Sequence, residues 1–125
     1  ERHDRDDILS GVDLTGQDDV VADVLLDLAR QETTPRSDRL ARSLMQGLQQ
    51  AGAPMNKRPL RQAGFSVLKA ADIPSVLIEI GFLSSQRDLQ NIANKQWRIV
   101  MAAGIRDALR AWMKEDAALS KLVRQ

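Results

Sequence analysis

One acidic side chain interrupts the most apolar stretch of the sequence. Glu79 lies between Ile78 and Ile80, in a segment that reads Ser-Val-Leu-Ile-Glu-Ile, and Gly81 follows. Burying a carboxylate costs free energy unless it is paired, and burial raises its pKa toward the neutral range in which a general base works. The sequence therefore predicts that Glu79 is a general base. The alternative is a structural ion pair with an arginine on a neighbouring element, for example Arg61.

Other reactive side chains are scarce. The chain has no cysteine and one histidine, His3, which excludes disulfides, thiolate metal sites and cysteine nucleophiles. A catalytic zinc usually has three protein ligands, so this chain alone is a poor candidate for a complete zinc site. Ser84 and Ser85 have no histidine to activate them, and we expect them to cap a helix instead. The arginines of 36–42 and the basic loop 53–62 lack interleaved aromatic residues, which favours a solvated surface over a polyanion site.

Two helices are predicted in the first half of the chain. Apolar residues three and four apart predict a helix over 18–30, with apolar side chains on more than one face. Pro35 is predicted to end this pattern, and Ser37 is a good N-cap for a second helix that ends near Gly52. Apolar residues on two faces of the first helix would leave some apolar surface outside the core.

The second half of the chain predicts strands followed by helices. The apolar runs 65–68 and 75–80 are continuous rather than alternating, which is typical of strands buried on both faces. A capping pattern predicts a short helix over 85–93, and helical spacing predicts a long one over 95–113. We therefore predict an α/β fold with helices packed on both faces of a mostly buried sheet. Two strands are few for a sheet, so its remaining strands are expected upstream of this chain.

Composition limits the class of protein. The chain has 125 residues, 43% of them hydrophobic, and a net charge of +1, which fits one globular domain and argues against a general attraction to nucleic acid or anionic membranes. No apolar run approaches the roughly 18 residues of a membrane span. The charge is unevenly distributed: residues 1–34 carry ten acidic and three basic side chains, whereas residues 35–70 carry one acidic and seven basic. The basic region could dock the acidic one.

The segment 62–85 resembles a known family. It reads Gln-Ala-Gly-Phe-Ser-Val-Leu-Lys, then Ala-Ala-Asp-Ile-Pro-Ser-Val-Leu-Ile-Glu, then Ile-Gly-Phe-Leu-Ser-Ser. This run resembles the C-terminal core of zinc-dependent N-acetylmuramoyl-L-alanine amidases of the amidase-3 family. The resemblance continues through the last helix, which begins near Trp97, and upstream into residues 7–14, so that it covers most of residues 4–113. Ser85 stands where many members have asparagine.

The resemblance implies a peptidoglycan hydrolase. A zinc-bound water would attack the amide between N-acetylmuramic acid and L-alanine, and Glu79, which matches the family's catalytic glutamate, would take the water's proton and pass it to the leaving amine. The family's zinc ligands, two histidines and a glutamate, are expected before Glu1, and His3 matches none of them. The implied setting is the periplasm, during separation of daughter cells.

The resemblance also implies a regulatory segment. Residues 1–34 would form an autoinhibitory, activator-binding insertion, and residues 35–125 the C-terminal half of the catalytic domain. An activator of the LytM type would bind the helix within 18–31, and an acidic residue of the insertion, Glu1 among the candidates, would cap the zinc in the inhibited state. Simple packing of this helix on the sheet is an equal alternative. A further alternative is a catalytically incomplete amidase-like module that binds such a partner through 18–31.

Overall fold

The computed structural model describes residues 19–123, and the predictions that concern residues 1–18, including His3 and the resemblance at 7–14, lie outside the described residues. Three helices account for most of the described chain. They are α1 (Asp19–Gln50), α2 (Gln86–Ala93) and α3 (Lys95–Val123). None of these three helices combines the length and the hydropathy needed to cross a membrane.

The predicted α/β fold is wrong for the described residues, because they contain helices, turns and irregular chain but no strand. A strand exists through hydrogen bonds to a neighbouring strand. In the run 65–68 the backbone bonds are local instead: the N–H of Phe65 donates to Ala63 O (3.0 Å), and the N–H of Leu68 donates to Phe65 O (3.1 Å). This segment therefore forms a turn.

The predicted burial of the two apolar runs is also wrong. Val67 in the first run is 72% exposed, and Leu77 and Ile80 in the second are 50% and 44% exposed. Burial on both faces needs helices packed on either side of a paired sheet, and the described chain forms no sheet for them to cover. The two runs are apolar, but the partner strands that would pair with them are absent from the described chain.

Helix α1 continues through Pro35, so the prediction of two separate helices is wrong. Proline removes one backbone hydrogen bond and crowds the preceding turn, which normally kinks or ends a helix. Here the chain is helical on both sides, and Thr33 and Leu40, which flank the proline, are both buried. Ser37 is not an N-cap; its Oγ accepts a hydrogen bond from the N–H of Ser75 at 3.1 Å.

The described residues form two compact units, and the first consists of 19–39 with 62–76. Leu26 packs against Ala71, with Ala29 beside them. Gln62 Nε2 donates to Asp38 Oδ1 at 3.0 Å, and this hydrogen bond connects the start of the segment 62–76 to α1. The opposite face of this helical segment is exposed and apolar, as expected for part of its surface, and consists of Val20, Val21, Val24, Leu25 and Leu28.

The second unit consists of 40–61 with 77–123. The predicted apolar stripe of α1 is confirmed at Leu40, Leu44 and Leu48, which are all buried. The helices approach closely where Ser43 Oγ donates to Ala108 O at 2.8 Å. Helix α1 ends as predicted before Gly52, which adopts a φ of 86°, a conformation that glycine adopts without steric cost.

Candidate functional site

Glu79 lies in the second unit, on the irregular chain that connects α1 to α2. Its side chain is exposed, so the predicted burial is wrong. The alternative of an ion pair with Arg61 is not supported either, because Arg61 Nε donates to Arg58 O at 3.4 Å. Among the described residues, no cation pairs with the Glu79 carboxylate. The carboxylate is therefore available to a ligand.

A short turn after Glu79 connects it to α2. The N–H of Ser85 donates to Phe82 O at 3.0 Å, and the N–H of Leu89 donates to Ser85 O at 2.8 Å. The predicted capping role of Ser85 is confirmed, since its Oγ accepts from the N–H of Asp88 at 3.3 Å. The helix that follows is therefore fixed to the turn at its first residue.

Asp88 was predicted only as part of the capping pattern of this helix, and its contact with the turn after Glu79 was not predicted. It is 6% exposed. Its Oδ2 accepts from the N–H of Phe82 at 3.2 Å, and its Oδ1 accepts from Arg87 Nε at 3.0 Å. An acidic residue three positions after a serine N-cap often bonds back toward the cap, and this was the signal available in the sequence. The carboxylate here reaches further back, to the residue three positions after Glu79.

Gly81 completes the contact between the turn and the helix. A Cβ at this position would lie 3.0 Å from Asp88 Cβ and 3.4 Å from Ile92 Cδ1. The first distance is shorter than ordinary van der Waals contact, so a side chain here would displace Asp88. The absence of a side chain at Gly81 is therefore part of what lets the Asp88 carboxylate reach Phe82.

The hydrogen bond from the Phe82 N–H, followed by that from the Arg87 side chain, holds the pKa of Asp88 below its ordinary value. Because the folded protein has the lower pKa, the unfolded chain binds the proton more readily. Asp88 therefore stabilises the fold fully above its unfolded pKa of about 3.9, and this contribution is lost as the pH falls through the folded value.

We expect the melting temperature of Asp88→Asn to depend less on pH than that of the wild type between about pH 7 and about pH 3. Circular dichroism melts at several pH values measure the difference. Asp107→Asn is the matched control. The hydrogen bond from Arg106 (2.8 Å) also lowers the pKa of Asp107, but both side chains are exposed and screened by solvent, so we expect this variant to change the pH dependence less than Asp88→Asn does. Equal pH dependence for the Asp88 variant and the wild type would contradict the assignment.

A catalytic zinc needs about three ligand side chains close together. No group of three or more histidine, cysteine, aspartate or glutamate side chains within the described part of the chain could hold a metal ion. The residues present therefore do not fit the zinc site that the resemblance implies. The prediction that the zinc ligands come before Glu1 stays a prediction, and no chemical step is assigned to a metal at the described residues.

Comparison with known proteins identifies the family of the chain. The profile of the N-acetylmuramoyl-L-alanine amidase family, Amidase_3, matches residues 10–111, a range that includes Glu79 and Asp88. No solved structure gives a significant match to this chain.

Curated relatives agree with this match. The chain is 28% identical over 92% of its length to N-acetylmuramoyl-L-alanine amidase AmiC of one Escherichia coli strain, and 27% identical over 97% of its length to N-acetylmuramoyl-L-alanine amidase AmiA of another. It is 36% identical over 61% of its length to the probable cell wall amidase LytH of Staphylococcus saprophyticus. The chain spans 27%, 43% and 26% of the lengths of these three relatives.

The family profile covers most of the chain, and the segment that carries Glu79 and its anchored turn lies inside the matched range. The chain belongs to the N-acetylmuramoyl-L-alanine amidase family.

Proposed function

We propose that the protein containing this chain hydrolyses the amide bond between N-acetylmuramic acid and the L-alanine of the peptidoglycan stem peptide, with Glu79 as general base. The observation that carries the proposal is the family match over residues 10–111. The structure supports it in one respect: the Glu79 carboxylate is exposed and has no ion-pair partner among the described residues. A base that acts on a polymeric substrate must be accessible in this way.

The proposed role of Glu79 is a proton relay. Its carboxylate takes a proton from the attacking water as the water oxygen forms a bond to the amide carbon. The carbon–nitrogen bond then breaks, and the same proton passes to the departing nitrogen of L-alanine, so that the carboxylate is regenerated. Zinc belongs to this proposal as the family's cofactor, with ligands other than the described residues, since these do not fit a metal site.

The proposal includes a location and a cellular role. AmiC and AmiA are named as N-acetylmuramoyl-L-alanine amidases, and LytH as a probable cell wall amidase. A substrate in the cell wall requires the enzyme to act outside the cytoplasmic membrane, and we place this protein in the periplasm, in the separation of daughter cells.

Hydrolysis of intact cell walls tests the proposed activity. The full-length protein, supplied with zinc and with a LytM-type activator, is incubated with dye-labelled purified sacculi, and the soluble dye is measured. We expect soluble dye to accumulate with time and with enzyme concentration. Absence of release, from protein shown to be folded by circular dichroism, would overturn the proposed activity.

The exposed apolar face of α1 supports the regulatory part of the proposal. Val20, Val24 and Leu28 are 67%, 54% and 56% exposed, although an apolar helix face is normally covered. Asp23 and Asp27 lie on the same part of the helix and are exposed too. We propose that a LytM-type activator covers this face, with apolar contacts flanked by basic side chains.

Replacing Val24 and Leu28 by aspartate is expected to weaken activator binding by at least about 10-fold, because each buried aliphatic side chain contributes about 1.5–3 kcal/mol. Isothermal titration of the full-length protein measures the change. Met113→Asp is the control, since Met113 is equally exposed (61%) but lies on α3. Unchanged affinity in the double variant would remove α1 as the binding element. Binding without any hydrolysis of sacculi would instead favour the alternative, a catalytically incomplete module that recruits a partner.

A further inference from the structure

The position of Glu79 has to be fixed by something other than a strand. Glu79 lies on irregular chain, and although Ile78 is half-buried, Leu77 and Ile80 are 50% and 44% exposed, so burial alone holds the segment weakly. After Glu79, the segment is held to the following helix through Phe82, whose N–H donates to Asp88 Oδ2 and whose carbonyl oxygen accepts from the N–H of the N-cap residue Ser85. A general base must be held close to its productive geometry, because small displacements are costly in rate.

Asp88 supplies this anchor. Its carboxylate accepts the N–H of Phe82 at 3.2 Å from within the first turn of α2, and the N–H of Asp88 in turn donates to Ser85 Oγ at 3.3 Å. The carboxylate is nearly buried, and Arg87 pairs with it through Nη2 at 2.9 Å while remaining 70% exposed. A charged acceptor makes a stronger hydrogen bond than a neutral one, and burial protects it from competing water.

We propose that Asp88 is a positioning residue for Glu79: by tying Phe82 to α2, it sets where the carboxylate three residues earlier is presented to the substrate. The inference rests on the proposed role of Glu79 as general base. Asp88 itself does not touch the substrate in this account. Gly81 is needed for the same contact, because a Cβ at this position would lie 3.0 Å from Asp88 Cβ and would separate the turn from the helix.

A double-mutant cycle in the full-length protein tests the inference. Glu79→Gln, Asp88→Ala and the combined variant are assayed on a soluble N-acetylmuramoyl peptide, and kcat is expressed per folded enzyme at a temperature well below the melting temperature. We expect Asp88→Ala to lower kcat about 10- to 100-fold with little change in KM, because it misplaces the base without removing a substrate contact. In the Glu79→Gln background the same substitution is expected to cost nothing further.

Two further variants separate positioning from simple stability. Asp88→Asn keeps an oxygen that can accept the Phe82 N–H bond, and it is expected to retain most of the activity that Asp88→Ala loses. Asp107→Ala is the matched control, because Asp107 also accepts from the arginine that precedes it, with Arg106 Nε at 2.8 Å, but bonds to no turn near Glu79. We expect it to leave kcat unchanged.

Equal losses from Asp88→Ala with and without Glu79 would overturn the inference, as would a lower melting temperature with an unchanged kcat. If Asp88→Ala does not fold, Gly81→Ala replaces it in the cycle. It is expected to lower kcat only where Glu79 is present, and full activity of Gly81→Ala would again overturn the inference. Full activity of Glu79→Gln would overturn the proposed base and the positioning role together. A strong loss in Glu79→Gln with additive effects of Asp88 would overturn the positioning role alone.

Discussion

Glu79→Gln is expected to lower kcat at least roughly 100-fold while KM changes little, because the substitution removes proton transfer and leaves the shape of the side chain in place. Glutamine is nearly isosteric with glutamate but does not accept a proton at neutral pH. Glu79 is exposed and unpaired among the described residues, so the variant breaks no ion pair described in the structure and should fold normally. Steady-state kinetics of the full-length protein on a soluble N-acetylmuramoyl peptide provide both constants.

The matched control for this prediction is Glu115→Gln. Glu115 is also an exposed glutamate of the second unit, but it lies on α3 and not on the segment that leads into the turn before α2. The same chemical change at this position is expected to leave kcat and KM as they are. If both variants keep full activity, Glu79 is not the base; if both lose it equally, the loss is not specific to Glu79.

Gly47→Ala is expected to destabilise the fold by about 1–3 kcal/mol, although alanine is normally the better helix former. An added Cβ at Gly47 would lie 2.8 Å from Ala108 Cβ and 2.9 Å from Gly104 O, distances at which one of the two helices has to move. Ser43 and Leu44 on the same part of α1 hold it against this movement, through the hydrogen bond to Ala108 O and by burial. Thermal and urea unfolding of the isolated variant measure the change.

A compensating variant isolates the steric cause. In Gly47→Ala combined with Ala108→Gly, the contact at 2.8 Å is removed and the contact with Gly104 O remains, so part of the lost stability should return. Ala108→Gly alone provides the baseline for the cost of glycine in a helix, which is about 0.5–1 kcal/mol. A Gly47→Ala protein as stable as the wild type would mean that the helices are not packed this closely.

Local signals in the sequence predicted some of the helix ends, although the predicted end at Pro35 and the predicted N-cap at Ser37 are wrong and the last helix extends to Val123. Ser85 caps α2, Gly52 follows the end of α1, and the long last helix begins at Lys95 as expected. These features depend on a few neighbouring residues whose side chains or φ angles suit a helix terminus. The single helix through Pro35 was not predictable in this way, because proline is locally a signal for a helix end, whereas the burial of Thr33 and Leu40 on either side of it cannot be read from neighbouring residues.

The strands were mispredicted for a related reason. Continuous apolar residues such as those of 75–80 describe what a buried strand needs, but pairing and burial depend on partners distant in sequence. In the described chain these partners are absent, and the same residues remain irregular and partly exposed. Apolar pattern alone therefore could not establish the state of this segment.

The sequence indicated Glu79 as the candidate base, but it did not predict the contacts that hold the segment around Glu79. Glu79 stood out as a carboxylate among isoleucines, and the resemblance pointed to the same residue. The burial of Glu79 that this position predicted is not observed. The hydrogen bond from the Phe82 N–H to the Asp88 carboxylate was not predicted, because it depends on the path of the turn that brings Phe82 back to the helix.

The proposed hydrolysis of the amide between N-acetylmuramic acid and L-alanine is tested by identifying which bond of the substrate is broken. A soluble N-acetylmuramoyl peptide is digested with the full-length protein, and the products are identified by mass spectrometry. We expect intact N-acetylmuramic acid together with a free peptide whose first residue is L-alanine with a new amino group. Products cleaved within the peptide or between sugars, with the muramoyl–alanine amide intact, would contradict it.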